Sequence, residues 1–467
     1  MVRGERLLFF LLKRALMSFF ILSGSFGVIY ALAASFGDPL AEIRLSREPN
    51  VEYLLLNATR SLRLNEPIPE RFLGWYGDVI GSIFSGDFTL GIALNGRPVS
   101  EGLWTNVAPT FLLVSTSITL SLFCGAVLGV VVAMKRFGFR EPIISLFSFI
   151  GYVTPVFWIG HLAKQYIVVF ANDRTNLLLN VSQIFALLAG SGLFLVSAIF
   201  SFLSHYSFQD KGARRRFAFS LIIALPLMSV VGILLPTDSD YGILFGVGVS
   251  SVVGWVLFWG LFGLGLPKRI WFGFRFGIAW FVTLFLQKLF LTFPDYLRKE
   301  EIGGRPFPSF GYESVWFEPP EFWILQLDRV LHLILPVFAI TFTTVAIYYQ
   351  VTKNAAIEAL DSDYVRLARS KGISPIEVLV RHVFRNCYLS LINTFVPNYL
   401  YLMNSVIIIE LVFGWQGLGI FLLDSLYNFD LNRLMGGIFV SGVATFIGMV
   451  GSDIISSRVD PRIREFD

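Results

Sequence analysis

Two cysteines in 467 residues, four histidines and a charged fraction of only 15% leave this chain poor in the side chains on which most protein chemistry draws. Cys124 lies in an apolar run and Cys387 beside a polar one, so there is no disulfide framework and no metal-ligand spacing. His161, His205, His332 and His382 are scattered, with no pair one helical turn apart, and each is expected to be structural. No glycine loop ending in Lys-Ser or Lys-Thr occurs, and Gly414-Trp-Gln-Gly-Leu-Gly419 lacks the spacing that cradles a phosphate. Any ATP that powers this chain must therefore be hydrolysed on another polypeptide. No cofactor is expected, and no cluster of His, Asp, Ser or Cys at catalytic spacing supports a membrane-embedded enzyme. A formal net charge of +4, spread among loops, is no footprint for nucleic acid.

Apolar residues make up the difference. They reach 55% of the chain, 16% of it aromatic, with a mean hydropathy of +0.68, which fits an all-α polytopic membrane protein. Lys13 and Arg14 precede an apolar run from Ala15 to Phe36, long enough to cross a hydrocarbon core of roughly 30 Å. A cleaved signal peptide is the rival reading, but the run is longer than a signal core and Gly37-Asp38-Pro39 is no small-residue cleavage site. Segment 1–36 is thus read as a cytoplasmic N-terminus with a retained first helix, and 37–106 as an outer loop region. Further spans are expected at Val107 to Met134 and Pro142 to Phe170, making up 107–170. Pro155 should kink the second of these by removing a backbone donor. After a block at 171–321, the segment 322–467 supplies spans at Leu331 to Val351, Tyr388 to Phe413 and Leu434 to Ile455.

Between two of these spans the chain turns polar, from Lys353 to Asn386. Ile357, Leu360, Tyr364 and Leu367 recur at spacings of three and four, which predicts a short helix with one apolar face and with Glu358, Asp361, Arg366 and Arg369 off it. Gly372 should close that helix, with Arg369 and Lys371 near the negative end of its dipole and Glu358 near the positive end. Ser374, Pro375 and Glu377 read as N-cap, first residue and capping-box partner of a second helix. By physics alone, the result is a basic amphipathic segment on the water side of the bilayer, either an interfacial loop or a docking surface.

The order of residues adds to this. The run from Glu358-Ala359 through Asp363-Tyr364-Val365-Arg366-Leu367-Ala368-Arg369-Ser370-Lys371-Gly372 resembles the coupling loop of ABC-importer permeases of the oligopeptide and dipeptide family. Gly86-Asp87, Pro98-Val99, Pro109-Thr110, Pro155-Val156-Phe157-Trp158, His332-Leu-Ile-Leu-Pro336, Glu410-Leu-Val-Phe-Gly-Trp-Gln-Gly-Leu-Gly419 and Asp460-Pro-Arg-Ile-Arg464 resemble the same family in the same order. The resemblance implies the type I importer membrane fold, with six core helices. It also implies a second homologous permease subunit, two cytoplasmic ABC ATPases, an extracytoplasmic substrate-binding protein and a peptide substrate. Glu358, Ala359, Leu360, Asp363, Tyr364, Arg366, Leu367, Ala368, Arg369, Lys371 and Gly372 would form the ATPase-coupling interface. Localisation would be the cytoplasmic (inner) membrane, multi-pass, with both termini cytoplasmic.

The chain departs from the family pattern at Gln350, where a basic residue is common, at Ser390, where a proline is common, and above all at 171–321. Four extra spans are expected there, near Leu177 to Ser204, Phe217 to Leu235, Tyr241 to Leu266 and Ile270 to Phe293, for about ten in all. Lys211, Arg214, Arg215 and Arg216, and again Lys268 and Arg269, mark turns that should be cytoplasmic, while Asp173, Asp238 and Asp240 mark outer ones. An even insertion returns the chain to the outer side, so the family topology can resume. Related permeases also carry nickel chelates or sugars. A self-contained secondary transporter is the reading from another class, and the absence of an internal repeat argues against it.

Overall fold

The computed structural model describes residues 2–45, 51–134, 140–174, 285, 288–302, 305–314 and 321–459. The described chain is overwhelmingly helical, and the only strand-type pairing among the described residues is an isolated bridge between Ile92 and Pro98. Four of its helices are long and apolar enough to cross a membrane, or six if each of two bent pairs makes one span. The first three inserted spans, all but the end of the fourth, the basic turns that orient them and the terminal Asp460–Arg464 motif lie outside the described residues.

Helix α1 (Val2–Ser35) carries the first span at Leu16–Ser35. Residues 37–106, expected to be an outer loop region, include segments that fold back on it. Short helices at Ala41–Leu45 and Val51–Ser61, then α2 (Ile68–Ser85), build an aromatic core in which Tyr30, Trp75 and Leu103 are buried with Phe421 and Phe439. Asp430 pins this unit, accepting from the Leu94 N–H at 2.8 Å and the Arg433 N–H at 3.0 Å. Burial raises its carboxyl above the ordinary range, and those N–H donors with the Arg433 charge pull it back.

The central pair is α3 (Val99–Met134) and α6 (Phe322–Asp361). They approach closely because Gly125 and Gly129 present no Cβ: one on Gly125 would meet the Tyr349 N and Val345 O, and one on Gly129 the Lys353 N and Tyr349 O. Ser121 and Thr344 share a hydroxyl hydrogen bond of 2.5 Å across the same seam. At 40 residues α6 is about 60 Å long, so it overruns both ends of the expected Leu331 to Val351 span.

Between α3 and α6 lie α4 (Arg140–Val153) and α5, the segment Val156–Asn172, which are bent 102° from each other. The expected kinked span at Pro142 to Phe170 is thus a folded pair. Pro155, at φ −58° and ψ 133°, leaves the helix altogether and caps its successor. After α6 and the polar stretch come α8 (Phe384–Ser405), α9 (Ile407–Phe413), α10 (Leu418–Tyr427) and α11 (Leu431–Val459), with 51° between α8 and α9. Near the N-terminal end of α6 the buried Asp328 accepts from Tyr296 Oη at 2.9 Å and from Ser314 N and Oγ at 2.6 and 2.8 Å. It thereby ties the end of the inserted block and the strap 305–314 to the core.

Candidate functional site

The polar stretch does not form one helix through Ile357 and Leu367. α6 continues through Glu358, Ala359 and Leu360 to Asp361, where Ser362 turns extended at φ −70° and ψ 151° and starts α7 (Asp363–Ser370). Glu358 therefore sits at the C-terminal end of a long helix, where a carboxylate meets the negative end of the dipole, and the N-terminal role expected of it passes to Asp363. Ser362 Oγ donates to Ala359 O at 2.5 Å and the Val365 N–H donates to Ser362 O at 3.2 Å, which satisfies both sides of the break.

Gly372 ends α7 as the sequence predicts. Its φ is +75°, the Ile373 N–H donates to Ala368 O at 3.3 Å, and the Gly372 N–H donates to Arg369 O at 3.0 Å. This is the double closure in which a left-handed residue lets two carbonyls of the last turn find donors. The next helix opens with the Glu377 N–H donating to Ser374 Oγ at 3.3 Å, and a short turn at Pro375–Val378 widens into a π-type turn at Leu379–Val383 before α8.

Packing sorts the expected interface residues into two sets. Ala359 and Ala368 are buried, and Leu360 leans on the same cluster, which holds Val365, Val378, Val383 and Cys387 together with Val130 and Ala133 of α3. Those three face the chain's own core, against the expectation that Leu360 would present an outward apolar face. The seat is Val365, fully buried and absent from the expected set because the spacing through Leu360 continues in phase past the break. Outward stand Tyr364, 43% exposed, and Leu367, 56% exposed. Asp363, Arg366, Arg369, Lys371 and Gly372 are exposed around them, with Glu358 on the preceding turn. Tyr364 is held by the Asn386 amide, which donates to its hydroxyl at 3.0 Å. Arg366 and Asp363, 3.8 Å apart and both exposed, add little. Lys353 pairs with Glu141 of α4 at 2.7 Å, one turn after Gln350, so a basic residue still anchors this end of α6.

A cavity of about 660 Å³ opens between α3, α8 and α11, lined by Phe111, Ser115, Tyr399, Asn404, Ser441 and Thr445 among others, with no charged side chain in its wall. Ser115 Oγ and Tyr399 Oη are 3.0 Å apart within it.

The sequence model of the family described as binding-protein-dependent transport system inner membrane component matches residues 125–465. Among curated proteins, the chain is 34% identical over 160 residues to the oligopeptide transport system permease protein AppB of Bacillus subtilis (strain 168), covering 34% of this chain and 48% of that one. It is 33% identical over 153 residues to the dipeptide transport system permease protein DppB of Escherichia coli (strain K12), covering 32% and 43%. It is 35% identical over 140 residues to the di/tripeptide transport system permease protein DppB of Pseudomonas aeruginosa (strain UCBPP-PA14), covering 30% and 41%. The matched part spans under half the length of each of these relatives.

Proposed function

On the premise that this chain belongs to the family of binding-protein-dependent transport system inner membrane components, we propose that it is the permease subunit of an ATP-driven importer of oligopeptides or dipeptides. Its partners are a second homologous permease, two cytoplasmic ABC ATPases and an extracytoplasmic binding protein, and both its termini are cytoplasmic. The chain itself carries no catalytic group. The observation that carries the reading is the outward pair Tyr364 and Leu367 on a short helix, closed at Gly372, at the end of a rod longer than a bilayer is thick. An ATPase can bias the bundle only through a contact whose free energy differs between the bundle's states, and this outward, partly apolar surface offers such a contact. The uncharged cavity beside α3 suits cargo recognised by shape and backbone rather than by side-chain charge.

The test is purification of the tagged chain from native membranes in mild detergent, with its companions identified by mass and a cross-linker placed at Leu367. Recovery of a second permease and a Walker-motif ATPase cross-linked at that position is the expected result. A chain that comes out alone, under conditions that preserve a known importer complex, overturns the proposal.

A further inference from the structure

Glu410 is the one carboxylate or cation between Asn386 and Phe413, and the coupling surface gives it no task. Its side chain is fully buried in the second limb of a bent helix pair that together is long and apolar enough to cross a membrane. The groups on it are neutral donors: Thr110 Oγ1 of α3 at 2.5 Å, the Ile420 N–H at 3.0 Å and the Gly419 N–H. Thr110 Oγ1 in turn accepts from the Leu418 N–H at 2.7 Å. The carboxylate and the hydroxyl together take up the free N–H groups of the first turn of α10.

The other side of the break is equally complete. At the end of α9, Val412 O accepts from Lys164 Nζ at 2.8 Å, Phe413 O from the Gly311 N–H and Glu410 O from the Trp415 N–H, both also at 2.8 Å. A helix broken within a bilayer strands its terminal polar groups unless protein supplies partners. Here α3, α5 and the strap supply them. The glycines fit the same purpose: a Cβ on Gly417 would meet the Glu410 carboxylate and the Thr110 hydroxyl, and one on Gly419 would meet the carboxylate and Ile407.

We infer that Glu410 is a positioning residue for transport, an inference that rests on the importer reading above. Through Thr110 it fastens the first turn of α10 to α3, so that the outer ends of α3, α9 and α10 stay one rigid body through the ATP cycle. Opening this joint would strand a carboxylate and three backbone N–H groups in apolar surroundings, which is why the joint moves as a unit.

The test is hydrogen exchange of the segment Gly417 to Phe421, read by mass spectrometry on the full chain in lipid nanodiscs, alone and with its ATPases. Wild type should stay protected with and without trapped ATP. Thr110→Val should insert normally yet exchange about tenfold faster in this segment, and in reconstituted vesicles import fewer peptides per ATP hydrolysed. Thr110→Ser, which keeps the hydroxyl, should restore both. Loss of protection in wild type on trapping ATP, or unchanged exchange in Thr110→Val in the chain alone, overturns the inference without touching the importer reading. Absence of ATP-dependent uptake by wild type overturns that reading instead, and the proposed role in transport with it.

Discussion

At the residue scale, Tyr364 and Val365 are neighbours in sequence with opposite surroundings, one half exposed and the other fully buried. Val365→Ala should destabilise the chain by about 2 kcal/mol, because the cavity left among Val378, Val383 and Cys387 has nothing to fill it. Tyr364→Ala and Leu367→Ala should leave thermal unfolding within about 0.5 kcal/mol of wild type and lower affinity for the ATPase roughly tenfold, about 1.4 kcal/mol. Equal unfolding midpoints for Val365→Ala and wild type, or unchanged ATPase capture by Tyr364→Ala and by Leu367→Ala, would contradict this division. Gly372 calls for a different experiment. A Cβ there meets no atom within 4 Å, so only the backbone at φ +75° resists substitution. Gly372→Val should cost about 1–2 kcal/mol and impair coupling, and Gly372→Asn or Gly372→Asp distinctly less, because short polar side chains tolerate the left-handed region. Uptake per ATP that is the same for all three variants would show that the turn's conformation does not matter to coupling.

At the scale of elements, the α3–α6 seam depends on two absent side chains. Gly129→Leu should separate the helices and cost about 1–3 kcal/mol, seen as a lower unfolding temperature in detergent, whereas the same change at Gly451, which has open space, should be nearly neutral. What sequence reveals about such elements depends on reach. The closure at Gly372 and the cap at Ser374 are legible because their partners lie within a few residues. The break at Ser362 is not, since the apolar spacing from Leu360 to Tyr364 runs through it unbroken. Pro155 announces a departure from helix but not a turn of 102°, which depends on what α5 packs against afterwards, Gly160 lying close to Phe413 among others. Glu410 stands out in its sequence as a lone acid in an apolar run, but its partner Thr110 is 300 residues away, and no local pattern predicts the pairing.

At the scale of the whole molecule, the strap 305–314 is joined to the surrounding helices by more than chain continuity. Asn172 bonds the backbone of Phe307 on both sides, at 3.2 and 3.0 Å, the Gly311 N–H reaches Phe413 O, and Ser314 reaches Asp328. Removing residues 175–304 spares this strap, whereas removing 171–321 destroys it. If the block holds an even number of spans, a C-terminal topology reporter should stay cytoplasmic in both deletions, and peptide uptake should survive only in the shorter one. A reporter appearing outside would refute the even count, and equal uptake by both would show the strap to be dispensable. The strap fixes Asp328 at one end of α6, and the surface proposed for coupling begins where that helix ends, at Asp361. Mechanically, the length from Asp328 to Asp361 is a lever some 50 Å long, so a tilt of about 5° about the strap carries the far tip through about 4 Å. A small rotation that barely disturbs packing beside Asp328 is, at the Asp361 end, a stroke approaching the roughly 5–6 Å between neighbouring side chains on a helix face.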